Sequence, residues 1–176
     1  MRFGNLVIRS PNKKDSAKVY LEFISQIIEE DGFLLIDEIP SLKQEKVWLK
    51  ERLKNISNGT ELCLSAFDSK QLVGNAQAIR DRWKEKNNVH LGLAISKNYR
   101  GKGLGEFLLR SIIKMAILKF KPKNIYLRVF SDNKIAKSLY KKVGFRKIAH
   151  FPSWTLHKGK YVGHDYMLLK NFEEEK

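Results

Sequence analysis

Cysteine is almost missing: Cys63 stands alone in 176 residues. A single thiol cannot build an internal disulfide framework, and that poverty suits a reducing, intracellular setting. Cys63 lies in ELCLSAF, alternating with apolar neighbours, which reads as a buried core thiol rather than a nucleophile. No apolar run approaches the ~18 residues of a membrane span. The opening MRFGNLVIRSPNKKD holds no apolar stretch long enough for a signal peptide. The expectation is a cytoplasmic protein with no membrane association. Acidic residues are also scarce, 19 against 34 Lys and Arg, a formal charge of +15. Such a balance steers anionic ligands and attracts polyanions. Zinc-finger spacing, a basic zipper and an RNP-like aromatic motif are all lacking, so charge is the only nucleic-acid signal. Repeats, linkers and low-complexity tracts are absent apart from the acidic residues 173–175. One domain over residues 1–176 follows from that and from the length.

What is present is periodicity. Leu6, Val7 and Ile8 form a short apolar run that ends near Ser10 and Pro11 and reads as a first strand. Tyr20, Phe23, Ile24, Ile27 and Ile28 then recur at helical spacing. Ser41-Leu42-Lys43-Gln44 is a capping-box pattern opening a second helix, which Asn58-Gly59 stops. From Glu61 the period becomes two, turning at 68–70 and returning through Ile79 as a hairpin. A strand over 89–95, a helix from Leu104 to Pro122 and an apolar strand over 125–130 come next. Asp132-Asn133 caps a further helix, Gly144 ends it, and strands over 145–149 and 161–169 close the chain. The order is β-α-α-β-β-β-α-β-α-β-β, an α/β (α+β) class domain. Its mixed central sheet has about six or seven strands, flanked by about four helices.

The densest signal is NYRGKGLGEFLL, residues 98–109, where three glycines meet the start of an amphipathic helix. One glycine would serve a tight turn. Three point to main-chain N–H groups left bare for an anion, because the first helical amides have no intrahelical partner and the helix dipole favours negative charge there. Arg100 and Lys102 add positive charge. A Walker A loop fails, since no Lys-Ser or Lys-Thr follows a glycine at its spacing. A dinucleotide fingerprint fails too, because Glu106 stands where its third glycine would be.

R-x-x-G-x-G does fit, as Arg100, Gly103 and Gly105, and from 28 residues on Asn133, Ala136, Leu139, Tyr140, Gly144 and Phe145 match N-x-x-A-x-x-L-Y-x-x-x-G-F. Together these motifs, spanning 89–145, resemble the acetyl-CoA-binding core of the GNAT family of N-acetyltransferases. The resemblance implies that acetyl-CoA is the co-substrate, with no metal. Its pyrophosphate would lie on the loop of Arg100, Gly101, Lys102, Gly103, Leu104 and Gly105, and its pantetheine arm along backbone groups of Leu93, Ala94 and Ile95. Asn133 would contact the arm or cap its helix.

It further implies transfer of an acetyl group to a primary amine by direct attack in a ternary complex. The acceptor would be a small amine or amino acid, or a polypeptide N-terminus or lysine. Tyr140 occupies the position of the family's general acid, against a packing role on its apolar face. His90 stands where many members carry a glutamate base, in His90-Leu91-Gly92; Glu61 and Asp68 are further candidates. The tail matches the family's G-x-Y-x-D-x-x-x-M ending at Gly159, Tyr161 and Met167, with Gly163 in place of the aspartate and Asp165 two positions on. Trp83, Trp154 and Phe33-Leu34 are candidate acceptor-pocket walls, or packing. Relatives of this kind allow a homodimer through the C-terminal strands. The alternative reading is a basic, catalytically weak module of the same fold that binds RNA or a ribosomal partner, though nothing requires nucleic acid.

Overall fold

The computed structural model describes residues 4–169. Seven strands, β1 (Leu6–Arg9), β2 (Glu61–Asp68), β3 (Gln71–Arg80), β4 (Asn88–Ile95), β5 (Asn124–Phe130), β6 (Phe145–His157) and β7 (Lys160–Leu169), form one sheet in the order β1-β2-β3-β4-β5-β7-β6. Every neighbouring pair is antiparallel except β4 and β5, which run parallel because α3 crosses between them. The helices are α1 (Ala17–Glu29), α2 (Leu42–Ser57), α3 (Leu104–Phe120) and α4 (Lys134–Val143). None among the described residues is long and apolar enough to cross a membrane.

Local chemistry sets the ends of these helices. At α2 the Ser41 hydroxyl accepts from Gln44 N and the Gln44 side chain accepts from Ser41 N at 2.7 Å, the reciprocal capping box. Asn133 caps α4 by accepting from Ala136 N at 3.1 Å, and Gly144 closes it at φ +113°, a left-handed conformation that favours glycine.

The strand residues sort by alternation. Val89, Leu91, Ile125, Leu127, Val129 and Met167 enter the main core with Leu104, Leu108, Ile112 and Tyr140, so α3 and α4 cover that face. α1 and α2 cover the other face, packing on β3 and β2 with Tyr20, Phe23, Ile27, Leu49 and Phe67 in a second core. Cys63 is buried as expected, its thiol donating to Asn75 Oδ1 at 2.9 Å, and burial pushes the thiol up to about 11.

The last strand pair departs from expectation. β6 continues to His157, eight residues past its expected end at 149, and turns into β7 through Lys158 (φ +52°) and Gly159 (φ +70°), both left-handed as a type I′ hairpin needs. Its outer half is exposed, carries Pro152 and is bulged between Phe151 and Thr155. An edge strand like this lacks the buried alternation by which strands are recognised in sequence.

Candidate active site at the head of α3 and the β4–β5 gap

β4 and β5 pair only over Asn88↔Asn124, Val89↔Ile125 and His90↔Tyr126. Beyond His90 the strands part. Leu93, Ala94 and Ile95 stay paired to β3 on one side and meet no strand on the other. A short loop leads from β4 to α3 and brings Gly105 back beside Leu93 and Ile95, so the bare edge of β4 and the head of α3 frame one gap. The side chains of Leu93 and Ile95 pack on the main core and Ala94 on the second, which leaves only main-chain groups facing it.

The glycine loop presents a run of free donors. The Arg100 amide is already taken by Lys97 O at 3.2 Å, and the first helical bond is Phe107 N to Gly103 O at 3.0 Å. Between them the amides of Gly101, Lys102, Gly103, Leu104, Gly105 and Glu106 donate to no acceptor among the described residues. The available run therefore begins one residue later than the expected start at Arg100, because a turn over Lys97–Tyr99 spends the Arg100 N–H. Gly101 and Gly103 are left-handed, at φ +72° and +86°, and a Cβ on Gly101 would meet nothing within 4 Å. The fold leaves that space open. At Gly105 a Cβ would make only ordinary contacts with Leu139, Ile95 and Leu93 at 3.5–3.7 Å, so packing does not demand glycine there either. The Arg100 side chain is a brace: its Nε donates to Ile95 O at 2.8 Å and its guanidinium pairs with Glu30. Lys102 lies over the Tyr99 ring at 5.8 Å.

Two clefts border this loop, one of about 670 Å³ against α1 and one of about 410 Å³ against Gly4, Asn5 and Leu6, and they share Asp68, Tyr99 and Lys102. Neither reaches Tyr140 or His90. They extend the loop's surface rather than the gap.

Tyr140 and His90 lie on opposite faces of the sheet. Tyr140 is in the main core, edge-on to Phe145 at 6.0 Å, and burial pushes its phenol up to about 12. Its hydroxyl makes no hydrogen bond with the described residues, yet is not sealed from solvent. His90 is on the α1–α2 side, half-buried and stacked at 5.2 Å on Tyr126. Burial depresses its pKa, the charge of Arg128 adds to this, and Asp81 opposes it. The other expected base candidates are committed elsewhere. Glu61 is buried against the Arg52 guanidinium, and Asp68 accepts from the Tyr99 hydroxyl at 2.6 Å.

Asp165 apart, sequence reasoning missed the polar groups of the C-terminal strands. His164 is 1% exposed; its Nε2 lies 3.1 Å from the Thr155 hydroxyl while its Nδ1 has no partner. Its ring packs on Phe130 at 4.5 Å, and His157, whose Nε2 is also buried and unpartnered, packs on Phe130 and Phe33 at 5.2 and 4.8 Å. Asp165 faces α4 and pairs with Lys137 of that helix at 2.5 Å and with His150 of β6 at 2.8 Å, and these partners hold its carboxyl below the usual range despite burial. It is a strand-to-helix clamp. Gly163 next to it cannot carry a side chain, since a Cβ would come 2.8 Å from Phe151 O. Of the candidate pocket walls, Phe33 reaches Phe130, Leu34 packs on the second core, Trp154 lies against Phe151, and Trp83 projects into solvent, 85% exposed.

The model of the Acetyltransferase (GNAT) family matches residues 22–145, which include this loop, the gap and α4. The chain belongs to the GNAT family. Curated relatives include the L-amino acid N-acetyltransferase AaaT of Escherichia coli, 28% identical over 51% of this chain and 55% of that protein. A probable spermine N(1)-acetyltransferase of Bacillus subtilis is 42% identical over 30% of this chain and 34% of that protein. The matched segments thus span about a third to a half of those relatives. A GNAT-family acetyltransferase from Streptococcus pneumoniae shares the fold at TM-score 0.81, 24% identical over 93% of this chain and 98% of its own. A putative acetyltransferase from Salmonella typhimurium, solved with its cofactor acetyl-CoA, shares it at 0.80, 20% identical over 94% of each chain.

Proposed function

We propose that the protein is an acetyl-CoA-dependent N-acetyltransferase that transfers the acetyl group to a primary amine by direct attack in a ternary complex, as a cytoplasmic enzyme. The observation that carries this reading is the run of unpaired amides from Gly101 to Glu106 at the head of α3, opening on the unpaired edge of β4. The donor set fits a pyrophosphate: main-chain N–H groups with the helix dipole behind them, free of Cβ atoms where oxygens would approach. When bound, acetyl-CoA supplies a thioester carbonyl and a thiolate leaving group.

The chain's own residues do the rest. The main chain of β4 over Leu93, Ala94 and Ile95 holds an extended arm, and the N–H groups of Leu93 and Ile95, which point away from β3 while that of Ala94 points toward it, polarise the carbonyl. The Tyr140 hydroxyl, raised to about 12, stays protonated at neutral pH and donates to the departing sulfur. His90, lowered by burial, is neutral at that pH and accepts the proton an ammonium must lose before it attacks. Acid and base thus address the gap from opposite faces. Asn133 caps α4, which holds Tyr140 in place.

A homodimer through β6 is part of the proposal, because that outer strand exposes Ile148, Trp154 and Leu156. Thermal unfolding with saturating acetyl-CoA, beside ATP and NAD, tests the reading. Ligand at ~100 times its dissociation constant adds about 2.7 kcal/mol, a rise of several degrees at this length. A rise with acetyl-CoA alone, followed by amine-dependent thiol release, supports transfer. An equal rise with every polyphosphate reduces the loop to a general anion site and favours the basic binding module.

A further inference from the structure

On the sheet face that α1 and α2 cover at the β2–β3 end, Arg128 of β5 holds no partner among the described residues. Alternation places Arg128 on the same face of β5 as Tyr126 and Phe130. It pairs in register with Tyr166 of β7, lies diagonal to His164, and is the first residue on that face past the last β4–β5 pair, His90↔Tyr126. It therefore stands at the mouth of the gap, with diagonal neighbours roughly 7–8 Å away.

Other arginines held against the protein have found anions: Arg9 is matched by Asp15, Arg52 by Glu61 and Arg100 by Glu30. Arg128 is half-buried and makes no hydrogen bond, ion pair or ring contact with any described residue. A guanidinium partly removed from water keeps five donors in a planar fork, and leaving them unmatched is costly unless a ligand fills them. Its charge reaches both flanking rings, since it contributes to holding His90 and His164 in the neutral form. The same face carries the buried, unpartnered Nδ1 of His164, and the Phe33–Phe130 contact floors it with apolar surface. A cationic group, an unpaired imidazole nitrogen and aromatic walls at the gap describe a small site for a molecule with one anionic end.

We propose that Arg128 is the specificity-determining residue of the acceptor site, binding a carboxylate, and that the acceptor is a free amino acid or another small amine with a carboxylate close to its nitrogen. This rests on the transferase reading. A fork-to-fork contact gives both affinity and orientation, and a carboxylate held on Arg128 leaves the neighbouring amine at the gap beside His90. A polyamine would instead bring a second cation against Arg128, in a protein already at +15. A polypeptide N-terminus offers an amide where the carboxylate should be.

The test is thiol release from acetyl-CoA with matched acceptor sets: several amino acids, their amides, their decarboxylated amines, and spermidine. The acids should exceed their amides and amines by about ten- to a hundredfold in kcat/KM, the range of a charge-assisted pair. Arg128→Gln should erase that preference by raising KM for the acids, and Arg128→Lys should keep part of it. Both should leave the thermal shift with acetyl-CoA unchanged, because the loop amides lie elsewhere. Amides, amines or spermidine turned over as well as the acids would overturn the inference while leaving the transferase reading intact, as would an unchanged preference in a folded Arg128→Gln. Release with no amine at all, together with no acetyl-CoA shift, would remove both.

Discussion

Gly105 is where the needs of the fold can be separated from those of the proposed ligand. It sits in the first turn of α3 with an ordinary helical backbone, and a Cβ there would touch Leu139, Ile95 and Leu93 at normal van der Waals distance. Alanine is the better helix former by about 0.8–1 kcal/mol. Gly105→Ala should therefore raise the unfolding midpoint slightly while weakening acetyl-CoA on the order of tenfold, by crowding an amide the pyrophosphate approaches. Calorimetry with and without ligand checks both signs; a variant that is more stable and binds equally well would remove Gly105 from the cradle. Tyr140 gives the complementary case. Tyr140→Phe keeps the ring against Phe145 and removes only an unpartnered hydroxyl, so the unfolding midpoint should barely move. If the hydroxyl is the acid, kcat should fall about 10²- to 10⁴-fold at unchanged acetyl-CoA affinity. A change under threefold would leave Tyr140 a packing residue.

At the scale of elements, what could be read in the sequence was whatever is local. The capping box at Ser41, the cap at Asn133, the stop at Gly144 and the periods of α1 to α4 all depend on residues within four or five positions of each other, and each is where the sequence places it. The β4–β5 gap is not local. It exists because two strands joined by α3 part after three residue pairs, and no residue type marks that point. The start of the free amide run depends on a turn at Lys97–Tyr99 that no glycine announces. That Arg128 has no partner among the described residues appears only once β7 and β4 lie beside β5.

Asp165 shows the same limit from the other side. Its place on the strand face opposite His164 follows from alternation, but its role comes from α4 swinging Lys137 over it. The clamp should be felt in stability. Asp165→Asn removes the charge that Lys137 and His150 meet in a site 1% exposed. Because Lys137 can still turn to water, the expected cost is about 2–3 kcal/mol, beneath the ~3–5 kcal/mol of fully buried pairs. A denaturant midpoint at constant slope measures it, and a loss under about 0.5 kcal/mol would mean α4 is held by packing alone.

For the whole molecule, titration ties these parts together. Burial holds His90 and His164 below their ordinary 6.5 in the folded state, Arg128 adding to both. Well above pH 6.5 neither state binds the proton and these groups contribute nothing that depends on pH. As pH falls through 6.5 the unfolded chain protonates first, it binds more protons than the folded one, and stability drops. The limiting slope is about 1.4 kcal/mol per pH unit for each histidine, down to its folded value. Asp15 and Asp165, held below the ordinary 3.8 by their cationic partners, extend the loss further into acid. Glu45, raised by burial, runs the opposite way above its ordinary 4.5, so the histidine effect is read at the upper end of the window, as pH first falls through 6.5. Chemical unfolding across that window should show stability falling toward acid, and His90→Gln with His164→Gln should flatten the curve. The same window should govern acetyl transfer. A base that must be neutral loses activity as it protonates, so kcat/KM should fall on the acid side below pH 6.5, not at it, and His90→Gln should remove that limb. An acid limb centred at or above 6.5 would mean that the proton leaves by another group.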